Sequence, residues 1–409
     1  MPSDRISDYL AYRTTVKRLL ITSGLWPSKK RDWYHFLTII PLTLNIIMAI
    51  VTAGFVKKHI NNLKRAILGG NSCVSMLGSI FKIIIFIVNR KDIEKLHEML
   101  DTQISPLLCD TLISKMLLTK FKGFEILRKT IFLTMCYSCF LYTTRPIVNI
   151  VLQHLHDEKK IRYLLVMPGI YPFTIVPNGH LYRFIYALES ISVIYAFTIT
   201  CGIDLLFNLY IFQMVSQFRE MSHRIAQIDV KNDCKQIVQE CITKHEILIE
   251  CRNILEKIYG PIIMWTILVN GANICSQMVH IAKFSEMTLL KTNYATSYIS
   301  YKLFQTLVYS WGGSQLTEAV INKKFKNIEM FVEFCCFIQS ENYDAAVYTC
   351  NWNGNKDLMS SMVIMLGQKP LILNACGFTT VSINLFIKVA NTAISYLFLL
   401  QTLQEKEKD

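Results

Sequence analysis

Asn384, Lys388, Asn391, Ser395 and Thr402 recur at steps of four, three, four and seven residues. That spacing keeps all five on one face of a helix. Leu399 is the one apolar residue on the same line, and Leu385, Phe386, Val389, Ile394, Leu397, Phe398 and Leu400 occupy the other faces. A polar line inside hydrocarbon must meet water or a hydrogen-bonding partner. Two arrangements satisfy it. One is a pore-lining helix in which Leu399 closes the pathway by dewetting. The other is a helix–helix seam, with Asn and Ser bonding to neighbouring spans. The spacing leaves both open. Lys388 fits a cation pathway only in a wide, hydrated vestibule.

A second series, Tyr294, Tyr298, Tyr301 and Gln305, steps by four, three and four. Tyrosine offers a large apolar body with a polar tip, which suits a pocket for a small, mostly apolar ligand. An interfacial aromatic belt is the other reading, strongest for Tyr294. Lys82, Arg145, Glu189, Asp204, Lys302 and Lys388 are ionisable residues within apolar runs, where each must face protein or water. Lys82 and Lys302 could also snorkel.

Residues for catalysis are not assembled. The sequence has no Gly-rich phosphate loop, no H-E-x-x-H, no nucleophile elbow and no carboxylates paired on a helix face. An enzyme is not expected. Cys136 and Cys139 form a C-x-x-C inside an apolar run, where a redox pair would lack solvent, and Cys335-Cys336 read as packing residues. His154 and His156 point to different helix faces, so neither a metal site nor a cofactor is expected.

The elements that would carry these residues are membrane spans. Of 409 residues, 52% are apolar and 18% charged, with mean hydropathy +0.32. A soluble chain carries nearer a quarter charged residues. The net charge of +13 sits mostly between apolar runs, where Lys and Arg meet lipid headgroups. No basic face is interleaved with aromatics, so nucleic acid is not an expected partner. Seven apolar segments are long enough to cross about 30 Å of hydrocarbon as helices: 36–56, 66–88, 130–152, 184–212, 262–282, 295–321 and 374–400. Three long connections, 89–129, 213–261 and 322–373, show helical periodicity. In the second, Ile242, Leu248, Ile249, Leu255 and Ile258 form an apolar stripe. The spanning helices are therefore expected to extend out of the bilayer and pack together on one side. Polar residues precede the first apolar run, so that span, rather than a cleavable signal, is expected to target the chain.

Seven spans invite comparison with G-protein-coupled receptors, but the last span has no Asn-Pro-x-x-Tyr and no proline follows Pro370. The carboxyl-terminal stretch instead resembles the insect odorant receptor family. The resemblance runs through Ala346-Val347-Tyr348, Trp352, Gln368-Lys369-Pro370-Leu371, Gly377-Phe378, Val381-Ser382, Leu385-Phe386 and Ser395-Tyr396. Upstream, Val88-Asn89-Arg90 with Ile93 and Leu96, and Tyr171-Pro172-Phe173 with Pro177 and Tyr182, are similar to that family as well.

The resemblance implies an all-α integral membrane protein of seven transmembrane helices with a cytoplasmic helical anchor domain. It implies a cytoplasmic amino-terminal segment at 1–35, and spans one to six with an outer-half odorant pocket at 36–321. Cytoplasmic anchor helices follow at 322–373, a pore-lining seventh span at 374–403 and an extracellular tail at 404–409. The implied protein is the odorant-binding subunit of a non-selective cation channel in the plasma membrane. It would assemble with shared co-receptor subunits as a heterotetramer and open on binding a small volatile ligand. The short connection between spans four and five is unlike that of the co-receptor. The family's pattern puts Leu399 at the gate, with Asn391, Ser395, Thr402 and Leu403 along the pore. Its pocket maps onto Cys73, Met76, Leu77, Leu141, Tyr142, Arg145, Ser192, Tyr195, Tyr298 and Tyr301. Glu189, where a glutamine is common, and Lys388 depart from the pattern. A metabotropic seven-helix chemoreceptor and a gustatory-type channel are the alternatives.

Overall fold

The apolar runs fold as helices, several of them far longer than a bilayer is thick. The structure, a computed structural model, describes residues 2–28, 33–119, 121–156, 161–227, 234–283, 289–320 and 371–406. In chain order these form α1 (Pro2–Thr22), a 3-10 turn (Trp33–Thr38), α2 (Ile39–Lys58), α3 (Leu63–Val88), α4 (Arg90–Cys109), α5 (Thr111–Thr119) and α6 (Phe121–Leu155). They continue with α7 (His180–Ala226), α8 (Cys234–Lys283), α9 (Leu289–Val320), β1 (Asn374–Ala375), β2 (Thr379–Thr380) and α10 (Ile383–Lys406). The anchor helices expected at 322–373 lie outside the described residues apart from 371–373, as do the resemblance residues from Ala346 to Pro370.

Five of the described helical segments are long and apolar enough to cross a membrane: Phe36–Lys58, Leu63–Val88, Phe121–Leu155, His180–Ala226 and Gln236–Val279. They show apolar side chains outward, including Ile46, Ile47 and Ile50 on α2, Phe140 and Ile147 on α6, and Phe184 and Ile191 on α7. Such an outward apolar surface is stable against lipid. The protein is an all-α membrane protein. The sixth sequence segment falls on α9, whose Tyr, Gln, Ser and Lys residues lower its hydropathy, and the seventh falls on α10.

α7 and α8 contain 47 and 50 residues, roughly 70–75 Å at 1.5 Å per residue. About half of that exceeds the hydrocarbon thickness. The long connections thus become helical extensions. Along α7 the character changes with length. Its first part alternates buried and exposed positions, whereas residues 201–222 are buried on every side. α1, α4, α5 and α8 pack around that stretch. On α4 the buried residues Ile93, Leu96, Leu100, Ile104 and Leu107 step by three, four, four and three, one apolar stripe. On α8 the buried line is Val238, Cys241, His245, Leu248, Cys251, Leu255 and Ile258. Ile242 and Ile249, read as part of that stripe, flank it and are only partly buried.

The seventh segment needs correction at its start. Residues 374–382 are not helical. Asn374 pairs with Thr380 and Ala375 with Thr379 in a two-stranded hairpin. Three residues connect the paired positions; the first two, Cys376 (φ 53°) and Gly377 (φ 73°), are both left-handed, and the Phe378 amide donates to the Ala375 carbonyl at 3.1 Å. Ala375 and Val381 are buried against the core, the Asn374 amide donates to Glu256 Oε2 at 3.3 Å, and the Ile383 amide donates to Ser314 Oγ at 2.8 Å. Docked on α8 and α9, this hairpin fixes where α10 begins.

Candidate ligand cavity and outward polar face

A cavity of about 80 Å3 lies among α3, α6, α7, α8, α9 and the segment after α6. A single water needs roughly 10–15 Å3 by such a measure, so there is room for a small organic molecule. Tyr298 and Tyr301, one helical turn apart on α9, line it. Tyr298 shares a 2.9 Å hydroxyl contact with Ser75 of α3, and its ring meets Tyr142 of α6 edge-on at 6.0 Å. Tyr301 packs on Phe197 at 5.2 Å. These contacts set the tyrosine rotamers.

Of the residues expected at a pocket, Met76, Tyr142, Arg145, Tyr298 and Tyr301 come together here. The others stand on adjoining helix faces. Cys73 turns toward α2, its Sγ 3.7 Å from the Ala49 carbonyl. Ser192 is buried but donates to Asn45 Oδ1 at 3.0 Å, closing an α2–α7 seam. Leu77 is exposed on the outer side of α3, Leu141 is buried beside the cavity without lining it, and Tyr195 packs on the core. The depth is shared and the face is not, because neighbouring helical positions point about 100° apart.

Sequence reading missed the wall formed by Val166, Met167 and Pro168 and the contribution of Gln277 from α8. That wall is held by Glu189. Its Oε2 accepts from the Met167 amide at 3.0 Å, and its Oε1 accepts from the Tyr171 hydroxyl at 2.5 Å. Tyr182 adds a 2.7 Å bond to the Leu164 carbonyl. The signal available was Glu189 itself, an acid in an apolar run with no partner assignable from sequence. Beyond the wall a second space shares Leu68, Arg145 and Met167 with the first and carries Arg65.

Two ionisable residues of the spans pair with each other. Lys82 pairs with Asp204 Oδ1, which Tyr309 also contacts, and Gln305 Nε2 donates to Asp204 Oδ2 at 2.8 Å. Lys302 lines the cavity with its ammonium 5.6 Å from the ring centres of both Tyr298 and Tyr301.

On α10, Asn384, Lys388, Asn391 and Ser395 are all exposed, while Ala393 on the opposite face is 3% exposed. Leu385 and Val389 pack on the core. The polar line therefore points away from the chain's own bundle, which excludes a seam between α10 and its described neighbours. The side chains of Leu399, Thr402 and Leu403 lie outside those described.

Long apolar helices enclosing a small cavity, with one polar helix face turned outward, define a polytopic helical membrane protein. Residues 62–321 match the 7tm Odorant receptor family, and the chain belongs to that family. Odorant receptor 13a of Drosophila melanogaster is 22% identical over 289 residues, covering 68% of this chain and 67% of that protein. Odorant receptor 82a of the same species is 22% identical over 280 residues, 66% of each chain. The fold is similar to the insect olfactory receptor OR5 from Machilis hrabei solved in complex with eugenol. The TM-score is 0.76 at 15% identity, over 97% of this chain and 100% of that one. A second structure of that receptor gives 0.74.

Proposed function

We propose that this chain is the odorant-binding subunit of a ligand-gated, non-selective cation channel, and that it catalyses no reaction. It works with shared co-receptor subunits in a heterotetramer. It sits in the plasma membrane with its amino terminus cytoplasmic and its carboxyl terminus extracellular. The extensions of α7 and α8 with α1, α4 and α5 then form the cytoplasmic anchor. A small volatile ligand enters the cavity beside Met76, Tyr142, Arg145, Tyr298 and Tyr301, held mainly by apolar burial at about 25 cal/mol per Å2. Opening requires only that the ligand bind the open state better than the closed one.

The observation that carries this reading is the outward polar face of α10. A polar line turned away from its own bundle gains water as a partner when several subunits present it to a common water-filled axis. Asn391 and Ser395 then line that axis, with Leu399 at the constriction and Thr402 and Leu403 beyond it.

Voltage-clamp recording of the chain, alone and with an insect co-receptor, tests it under an odorant panel with G-protein signalling blocked. Fast cation current that needs the co-receptor is expected. Responses abolished by the G-protein block would make the protein a metabotropic receptor instead.

A further inference from the structure

The polar groups around the cavity are unbalanced. Arg145 and Lys302 both line it, and no Asp or Glu does among the described residues. Lys302 is 8% exposed, yet among the described residues its ammonium makes one polar contact, a 3.5 Å approach to Gln305 Oε1. The neighbouring carboxylate is already engaged elsewhere: Asp204 takes Lys82 and Tyr309 on one oxygen and Gln305 on the other. Two ammonium groups thus share one carboxylate. Glu189 does not line the cavity, and its two oxygens accept from the Met167 amide and the Tyr171 hydroxyl of the wall.

The neutral groups lean the same way. Asn71 and Tyr301 line the cavity, and neither the Asn71 amide nitrogen nor the Tyr301 hydroxyl has a partner among the described residues. Asn71 Oδ1 is occupied, accepting from Ser276 at 2.7 Å. Among the described residues, Arg145 meets the face of Tyr294, at 5.7 Å. Arg145 also borders the second space, where Arg65 stands and again no Asp or Glu lines the wall among the described residues.

Buried donors without acceptors are costly, and an unpaired buried ammonium most of all. A ligand that supplies an anionic acceptor offsets that cost. Hydrogen bonds to a charged acceptor are roughly twice as strong as neutral ones. Met76, Val193, Ala196 and Phe197 leave an apolar remainder for a hydrocarbon tail. We infer that the cavity selects a small organic anion, a monocarboxylate with an apolar tail, whose carboxylate lies between Arg145 and Lys302. This rests on the cavity being the ligand site proposed above.

The test is direct binding to the full chain in lipid nanodiscs at neutral pH, by ligand-observed NMR with empty nanodiscs subtracted. The probes are hexanoate, methyl hexanoate, 1-hexanol and hexylamine, which share a tail. Hexanoate is expected to bind at least about tenfold tighter than the ester or alcohol, with the amine weakest. Lys302→Gln and Arg145→Gln should each remove the preference, and Lys302→Arg should retain it. Because Arg145 is only half-buried, its variant remains informative if Lys302→Gln does not fold. Equal binding of ester and acid, no binding of hexanoate, or a preference that survives both glutamine variants overturns the inference. Currents are read separately. Anion-selective binding with no current in any subunit combination would retire the channel reading alone, and ester-gated current without anion binding would retire only this one.

Discussion

Lys82 of α3 and Asp204 of α7 form an ion pair in the interior, each side chain 3% exposed. The carboxylate also engages Tyr309 and Gln305 of α9, so one acid ties three helices together. Its position at the top of the fully buried stretch of α7 makes it a register mark between the cavity and the extended bundle.

Asp204→Asn should be strongly destabilising, because it leaves Lys82 and Lys302 without a carboxylate. Removing one partner of a buried pair costs about 3–5 kcal/mol. The melting temperature and monodisperse yield of detergent-solubilised protein measure it. The double variant Lys82→Met/Asp204→Leu, which removes both charges, should recover much of the loss. An Asp204→Asn protein as stable as the parent would mean the pair does not hold these helices.

Glu189→Ala should loosen the cavity wall without unfolding the bundle. It removes the acceptor for both the Met167 amide and the Tyr171 hydroxyl, each a charge-assisted bond. Hydrogen exchange over residues 161–175 should rise by roughly tenfold or more, while exchange in the buried part of α7 stays slow. Tyr171→Phe, which keeps the Met167 bond, should give a smaller rise. Unchanged exchange in Glu189→Ala would show that the wall is held by other contacts.

Gly313→Ala should fold poorly. A Cβ at Gly313 would sit 2.2 Å from the Val381 carbonyl oxygen, backbone that leads directly into α10. Neither helix can yield without moving the hairpin that sets α10's start. Gly54→Ala and Gly271→Ala, where an added Cβ meets nothing within 4 Å, are the matched controls. They should be neutral or slightly stabilising, as expected for Gly to Ala in a helix interior. Surface expression of the three variants, compared side by side, is the measurement.

The helices were legible because apolar runs and three-to-four spacing are properties of the chain itself. Gly312-Gly313 were legible only as softness in the sixth segment. Their role as the close-approach point of α9 depends on Phe207 and Val381, distant in sequence. The hairpin before α10 was hidden for the opposite reason. Leu371, Leu373 and Val381 extend the apolar run through it, and only Gly377 hinted at a turn. At the cavity, depth followed from span and position, which brought Tyr298, Tyr301 and Tyr142 into view together. Which face each helix presents depends on packing angles that periodicity does not encode, so Met76 lines the cavity while Leu77 faces outward. The wall at Val166–Pro168 has no period at all. Its place is set by Glu189, whose partner no local pattern could name.

Leu399→Ala tests the pore end of α10. Asn384, Lys388, Asn391 and Ser395 are exposed on one face, and Leu399 continues their line along the helix. If that face lines a common axis, a leucine on it is an apolar ring between polar ones. Such a ring blocks hydrated ions because a narrow apolar constriction does not stay wet. Truncation to alanine widens the constriction and removes apolar surface, so the channel should pass standing current without ligand. Leu399→Ile, close in volume, should stay closed. Standing cation current from Leu399→Ala co-expressed with the co-receptor, relative to the parent at equal surface expression, is the readout. A closed state as tight as the parent's would move the barrier off Leu399. If Asn391→Ala and Ser395→Ala also left conductance untouched, α10 would not line the pathway, and its polar face would be an interface between subunits.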